Sequence, residues 1–207
     1  MSGSIRWQSA ARDSGARVIL KPGNLLPALI WAFLVYAQIL NSPFPPALPN
    51  VLLVLINSCA LFLFLIRRDP ARTGNTWELL IAVLGTFIVA LLPHGEDINW
   101  VASTIQIIGL LAWAIALASL GRSFGIAPAD RGLKQTGPYR FVRHPMYAAE
   151  LLFFVGFFIA VPTWRTAIIV AIWWALQTVR ILREERILED YADYRARVKW
   201  RVLPGVW

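Results

Sequence analysis

Two short stretches of this 207-residue chain concentrate the side chains able to do chemistry. The first reads Gly-Pro-Tyr-Arg-Phe-Val-Arg-His-Pro-Met-Tyr from Gly137 to Tyr147. His144-Pro145 reads as a helix start, because a proline at the first helical position loses no intrahelical hydrogen bond. The free N–H groups at such an end can receive a carboxylate or another anion. Tyr147 and Glu150 follow at helical spacing and share the His144 face. The second stretch begins in an apolar run where Gln177, Arg180 and Glu184 form a polar stripe, with Arg180 and Glu184 spaced for an i,i+4 pair. Glu184 and Glu185 repel one another unless basic side chains or a cationic ligand lie close, so the pair points to a site for positive charge. Simpler roles stand beside these: Lys134, Arg140, Arg143 and Tyr147 suit interfacial anchoring, and the Arg180–Glu184 pair suits solvation of a helix end.

The elements that must position these residues are hydrophobic. The chain is 57% apolar and 15% charged, with a mean hydropathy of +0.57, whereas soluble domains run about 45–50% apolar and about 25% charged. A globule of this size cannot hide that much apolar surface from water, which excludes soluble, disordered, collagenous and coiled-coil classes. Apolar runs lie at about 25–40, 47–66, 77–92, 100–120, 147–161 and 164–179, and all six are read as helices. The predicted fold is an all-α polytopic membrane protein whose last two segments, joined by Pro162 and Thr163, form a tight hairpin. The division is an N-terminal segment at 1–24, four spans over 25–120 and a core at 121–207.

Charge gives an independent check. The net charge of +8 suggests either nucleic acid or a basic membrane face, and position decides. With a cytosolic N-terminus, 19 of the 20 Lys and Arg residues fall before the first run, at 67–72, at 122–143 or from Arg180 onward. The other loops receive only Arg165, with Glu96 and Asp97, so both termini are expected in the cytosol. The basic balance is explained by topology and by contact with anionic lipid, and no nucleic-acid partner is expected.

Elsewhere structural roles prevail. Cys59 lies in an apolar run and reads as a buried inert thiol. His94 and His144 are far apart without a cysteine partner, so no metal site is expected. Glu78 suits a helix N-terminus, Asn57 and Gln106 suit interhelical hydrogen bonds, and Trp200 and Trp207 read as interfacial anchors. Nucleotide-loop, dinucleotide and nucleophile-elbow motifs are absent.

The order Gly137-Pro-Tyr-Arg-Phe-Val-Arg-His-Pro-Met-Tyr147, an apolar hairpin and Arg180-Ile-Leu-Arg-Glu-Glu185 resembles the isoprenylcysteine carboxyl methyltransferase family and its phospholipid methyltransferase relatives over roughly 121–207. The resemblance implies an integral membrane enzyme binding S-adenosylmethionine in a cytosol-facing pocket, with a lipophilic acceptor entering from the bilayer. Gly137, Pro138, Tyr139, Arg143, His144, Pro145 and Tyr147 would form one wall of the cofactor pocket, and Glu184 and Glu185 the other. Arg180 would orient an acceptor carboxylate, or Glu184 or Glu185 would take a proton from an acceptor amine. Tyr191-Ala-Asp-Tyr194 follows Glu185 more closely than in the prenylcysteine enzymes. That shortening moves the expected acceptor from a prenylated protein toward a small lipid or hydrophobic metabolite. Two alternatives stay open, a sterol-reductase-like NADPH enzyme and a non-enzymatic transporter or scaffold. The oligomeric state is left open as well.

Overall fold

The structure, a computed structural model, describes residues 22–40, 47–93 and 99–207. In chain order these form α1 (Pro22–Leu40), α2 (Leu48–Ile66), α3 (Thr76–Phe87), α4 (Trp100–Leu120), α5 (Pro145–Ala160), α6 (Trp164–Ile187) and a short α7 (Tyr191–Arg197). Each expected apolar run is therefore a helix, and α6 continues past the end of its run at Val179 to carry the polar stripe. Residues 48–66, 100–123 and 164–187 are long and apolar enough to cross a membrane, while the described stretches 28–40, 76–91 and 145–160 are shorter. Leu29 and Phe33 are each 67% exposed and Phe62 59%, a surface that water would reject and lipid accepts. The expected outer loop with His94, Glu96 and Asp97, the basic residues before Pro22, and Pro43, Pro45 and Pro46 lie outside the described residues.

Local chemistry sets the helix ends. Asn75 and Glu78 open α3 with a reciprocal capping box at 2.9 Å in each direction, the N-terminal role expected of Glu78. Ala102 N–H donates to Asn99 Oδ1 at the start of α4, and Thr166 N–H donates to Thr163 Oγ1 at the start of α6. Pro145 occupies the first turn of α5, with His144 as the flanking residue.

Packing is closest between α4 and α5. A Cβ at Gly109 would sit 2.7 Å from Phe153 N, and one at Gly156 would sit 2.9 Å from the Ala102 carbonyl, so only glycine lets these backbones approach. Gln106 is buried against Gly156 in this seam. The α5–α6 hairpin forms as expected, with Phe154 and Trp173 ring centroids 4.4 Å apart. Between α1 and α2, Asn57 Nδ2 donates to Gln38 Oε1 at 3.1 Å, the interhelical bond expected of Asn57. Cys59 departs from expectation, being exposed on α2. Hydropathy alone does not separate a lipid-facing thiol from a buried one.

A two-stranded antiparallel ladder, β1 (Arg72–Thr73) with β2 (Ala129–Asp130), modifies the all-helical expectation. It ties the α2–α3 loop to the α4–α5 loop, reinforced by Arg68 N–H donating to the Arg122 carbonyl and Arg122 Nε donating to the Ile66 carbonyl at 3.0 Å. Glu189 N–H donates to Asp130 Oδ2 beyond α6. The basic segments at 67–72 and 122–143 and that following α6 thus meet at one end of the bundle.

Candidate functional site

At this end the α4–α5 loop, the start of α5, the end of α6 and α7 enclose a pocket. Its cavity is about 100 Å³ and opens into about 750 Å³ of space when the solvent-exposed mouth is included. Tyr139, Arg143, His144, Tyr147 and Glu184 line it, five of the residues singled out in the sequence. The start of α5 presents His144 and Tyr147, one turn apart, toward α6. Tyr147 Oη donates to Glu184 Oε1 at 2.6 Å. His144 lies between the two carboxylates, with Nε2 3.2 Å from Glu185 Oε1 and Nδ1 3.9 Å from Glu184 Oε2.

The adjacent glutamates diverge. Glu184 remains on the pocket wall. Glu185 lies on the other side of the His144 ring, where Arg201 Nε and Nη2 donate to its oxygens at 3.0 and 3.1 Å and Arg143 Nη1 stands at 3.3 Å. Its carboxylate is enclosed by Arg143, His144 and Arg201 and is absent from the pocket lining, where the resemblance had placed it beside Glu184. Instead it fastens the C-terminal segment. Arg143 N–H donates to the Trp200 carbonyl and His144 N–H to the Arg201 carbonyl, at 2.9 and 2.8 Å. Trp207 packs edge-on against Trp174 and beneath Arg201, pinning the tail.

Arg180 also departs from expectation. Its Nη1 donates to Gln177 Oε1 at 2.8 Å and Nη2 to the Ile126 carbonyl at 2.6 Å, in place of the expected pairing with Glu184. The guanidinium lies 5.4 Å from the Tyr147 ring centroid and outside the pocket lining. Burial forces this, since a cation so enclosed requires fixed acceptors. Gly137 and Pro138 shape the wall from behind: Gly137 takes φ of 61° in the turn that delivers Tyr139, and Pro145 starts α5. None of these three lines the pocket.

Tyrosines and cations complete the enclosure. Tyr194 Oη donates to the Tyr139 carbonyl at 2.6 Å, and Arg143 Nη1 donates to Tyr191 Oη at 3.4 Å. Burial, reinforced by Glu184, raises the Tyr139 phenol well above its ordinary value. Burial and then the Glu185 carboxylate do the same for Tyr191, and burial lifts Tyr194 to about 12. All three therefore stay neutral at physiological pH. Arg131, Lys134 and Ser123 also line the pocket, and sequence reasoning missed them as site residues. Gly125 and Gly132 on either side of Arg131 were the only local signal. Among the described residues, no group of three or more His, Cys, Asp or Glu side chains is placed to hold a metal ion.

Residues 98–193, a range that includes Gly137–Tyr147 and Arg180–Glu185, match the family described as phospholipid methyltransferase. The chain is 29% identical over 135 residues to the cobalt-zinc-cadmium resistance protein CzcN of Cupriavidus metallidurans, an alignment covering 59% of this chain and 60% of that protein. It is 25% identical over 131 residues to the nickel-cobalt-cadmium resistance protein NccN of Alcaligenes xylosoxydans xylosoxydans, covering 58% and 60% respectively. The chain thus spans about three fifths of the length of these curated relatives. The apolar helices are those of a membrane protein, and residues 98–193 are similar to a methyltransferase family.

Proposed function

We propose that this protein is an S-adenosylmethionine-dependent methyltransferase acting on a lipophilic acceptor at the loop end of its helix bundle, with that end and both termini in the cytosol. The observation that carries the reading is the wall made by His144, Tyr147 and Glu184, inside a segment matching a methyltransferase family.

The residues fit the cofactor. An amino-acid end with one ammonium and one carboxylate calls for both signs of charge, and the lining supplies Glu184 on one side and Arg131 and Lys134 on others. The buried Nε of Arg131 has no hydrogen-bond partner among the described residues, so donor capacity remains. When bound, S-adenosylmethionine supplies an activated methyl group on a sulfonium. Glu184 holds the ammonium through a charge-assisted hydrogen bond, and the Tyr147 hydroxyl fixes the carboxylate rotamer that makes this possible. Tyr139, Tyr191 and Tyr194 provide rigid, neutral surfaces that exclude water. Arg180 acts through Tyr147 as a positioning residue.

Leu120, Met146 and Leu188 give the pocket apolar lining beside helices that face lipid, which suits an acceptor arriving from the bilayer. Alignment of acceptor and methyl in a water-poor site is worth many orders of magnitude in effective concentration. With a carboxylate acceptor no base is needed; an amine acceptor must enter unprotonated, because Glu184 is engaged by the cofactor's ammonium.

Calorimetric titration of the detergent-solubilised protein with S-adenosylhomocysteine, with NADPH as comparison ligand, tests this reading. The expected result is saturable binding of S-adenosylhomocysteine alone. Binding of NADPH alone, or of neither ligand by folded protein, would overturn it.

A further inference from the structure

Arg131 is a buried cation that nothing in the pocket wall explains. It follows β2, and its backbone is fixed on both sides: Ser123 Oγ donates to the Arg131 carbonyl at 2.9 Å, and Gly132 N–H donates to Asp130 Oδ1 at 2.9 Å. Gly132 has φ of 91°, a conformation that admits this turn only with glycine. The side chain then runs into the pocket beside Gly125. A Cβ at Gly125 would stand 2.6 Å from Nη1 and 3.0 Å from Cζ, so the missing side chain there is what makes room for the guanidinium.

The cradle is built, yet the cation it holds is incompletely satisfied. Arg131 is only 9% exposed; its buried Nε lacks a hydrogen-bond partner among the described residues, as do those of Arg143 and Arg180, but those two arginines are held through their Nη groups. Burial first, and Arg67 second, pull its pKa down to about 10, with Glu184 and Asp69 opposing that pull. A guanidinium desolvated to this degree is costly unless a bidentate acceptor meets it. The other pocket arginine is already committed, because Arg143 is held by Glu185, Tyr191 and the Lys199 carbonyl. Across the pocket stands Glu184, the group of opposite sign.

Resting on the methyltransferase reading above, we propose that Arg131 is the carboxylate-binding residue of the pocket, its guanidinium seated against Gly125 and holding the α-carboxylate of the cofactor's amino-acid end while Glu184 holds the ammonium. The pair reads a zwitterion by its two charges. Planar two-point recognition of a carboxylate is the geometry for which arginine is suited and lysine is not.

The test is a double cycle of affinities on the full chain in detergent. S-adenosylhomocysteine and its decarboxylated analogue, which keeps the ammonium and loses only the carboxylate, are titrated into wild type, Arg131→Gln and Gly125→Ala. Wild type is expected to prefer S-adenosylhomocysteine about ten- to a hundredfold, as loss of a charge-assisted contact implies. In Arg131→Gln the two ligands should bind within about twofold of each other, the analogue's affinity being nearly unchanged. Gly125→Ala keeps the arginine while crowding its seat, and should narrow the preference in the same direction. Equal weakening of both ligands in the variants, or a preference that survives Arg131→Gln, would overturn the assignment. Failure of wild type to bind either ligand would instead remove the cofactor reading on which it rests.

Discussion

On α2, Leu55 and Phe62 are each more than half exposed, whereas at the loop end Arg143, His144 and Arg180 are each less than a tenth exposed. Large apolar side chains cover much of the outside of the helices, while these three charged or polar side chains are buried. Lipid covers the first set at no cost in hydrophobic free energy. Burial of the second is tolerable because partners are fixed: Glu185 gathers Arg143, His144 and Arg201, and Arg180 is tied to Gln177 and Ile126. The helices supply a platform, and the loop end supplies recognition. Arg143, Arg180 and Glu185 are held by fixed partners, and that part of the network is structural. Glu184 and Arg131 face the pocket, and these are the groups we propose for a ligand.

Substitutions that break this contrast should differ in size. Glu185→Ala leaves two arginines without their shared carboxylate and frees the C-terminal tail, so a loss of about 3 kcal/mol or more is expected, read as a fall in the midpoint of thermal unfolding in detergent. Gly109→Ala pushes a methyl against the Phe153 backbone, and about 1–3 kcal/mol should be lost by the same measurement. Glu184→Gln keeps an acceptor for the Tyr147 hydroxyl while removing the charge. Stability should therefore change by less than about 0.5 kcal/mol, while S-adenosylhomocysteine affinity measured by calorimetry falls about tenfold or more. Phe62→Ala, on the lipid-facing side of α2, should change stability by less than about 0.5 kcal/mol. A large effect there would mean that this surface packs against protein.

The helices were legible because a run of apolar residues long enough to approach a membrane span has few other uses. The pocket wall was legible where spacing along one helix decides the geometry, as for His144 and Tyr147. It failed where geometry depends on distant chain. Glu184 and Glu185 look alike in sequence, and only the returning tail, through Arg201, assigns one to the fold and leaves the other to the pocket. Arg180 was misread for the same reason, since its partner, the Ile126 carbonyl, belongs to a loop 54 residues earlier. The β1–β2 ladder is two residues on each strand, too short to impose an alternating pattern. Arg131 had no periodic signature because a turn, and the absence of a side chain at Gly125, determine its placement.

We propose that the acidic wall at the loop end serves methyl transfer to an acceptor drawn from the bilayer. The most direct test supplies methyl-labelled S-adenosylmethionine to membranes containing the protein and follows the label into the organic-solvent extract. Wild-type membranes should transfer label to a lipid-soluble product well above membranes lacking the protein, and Glu184→Gln membranes with equal amounts of folded protein should lose most of that signal. Transfer only to water-soluble material, or undiminished transfer by Glu184→Gln, would contradict it.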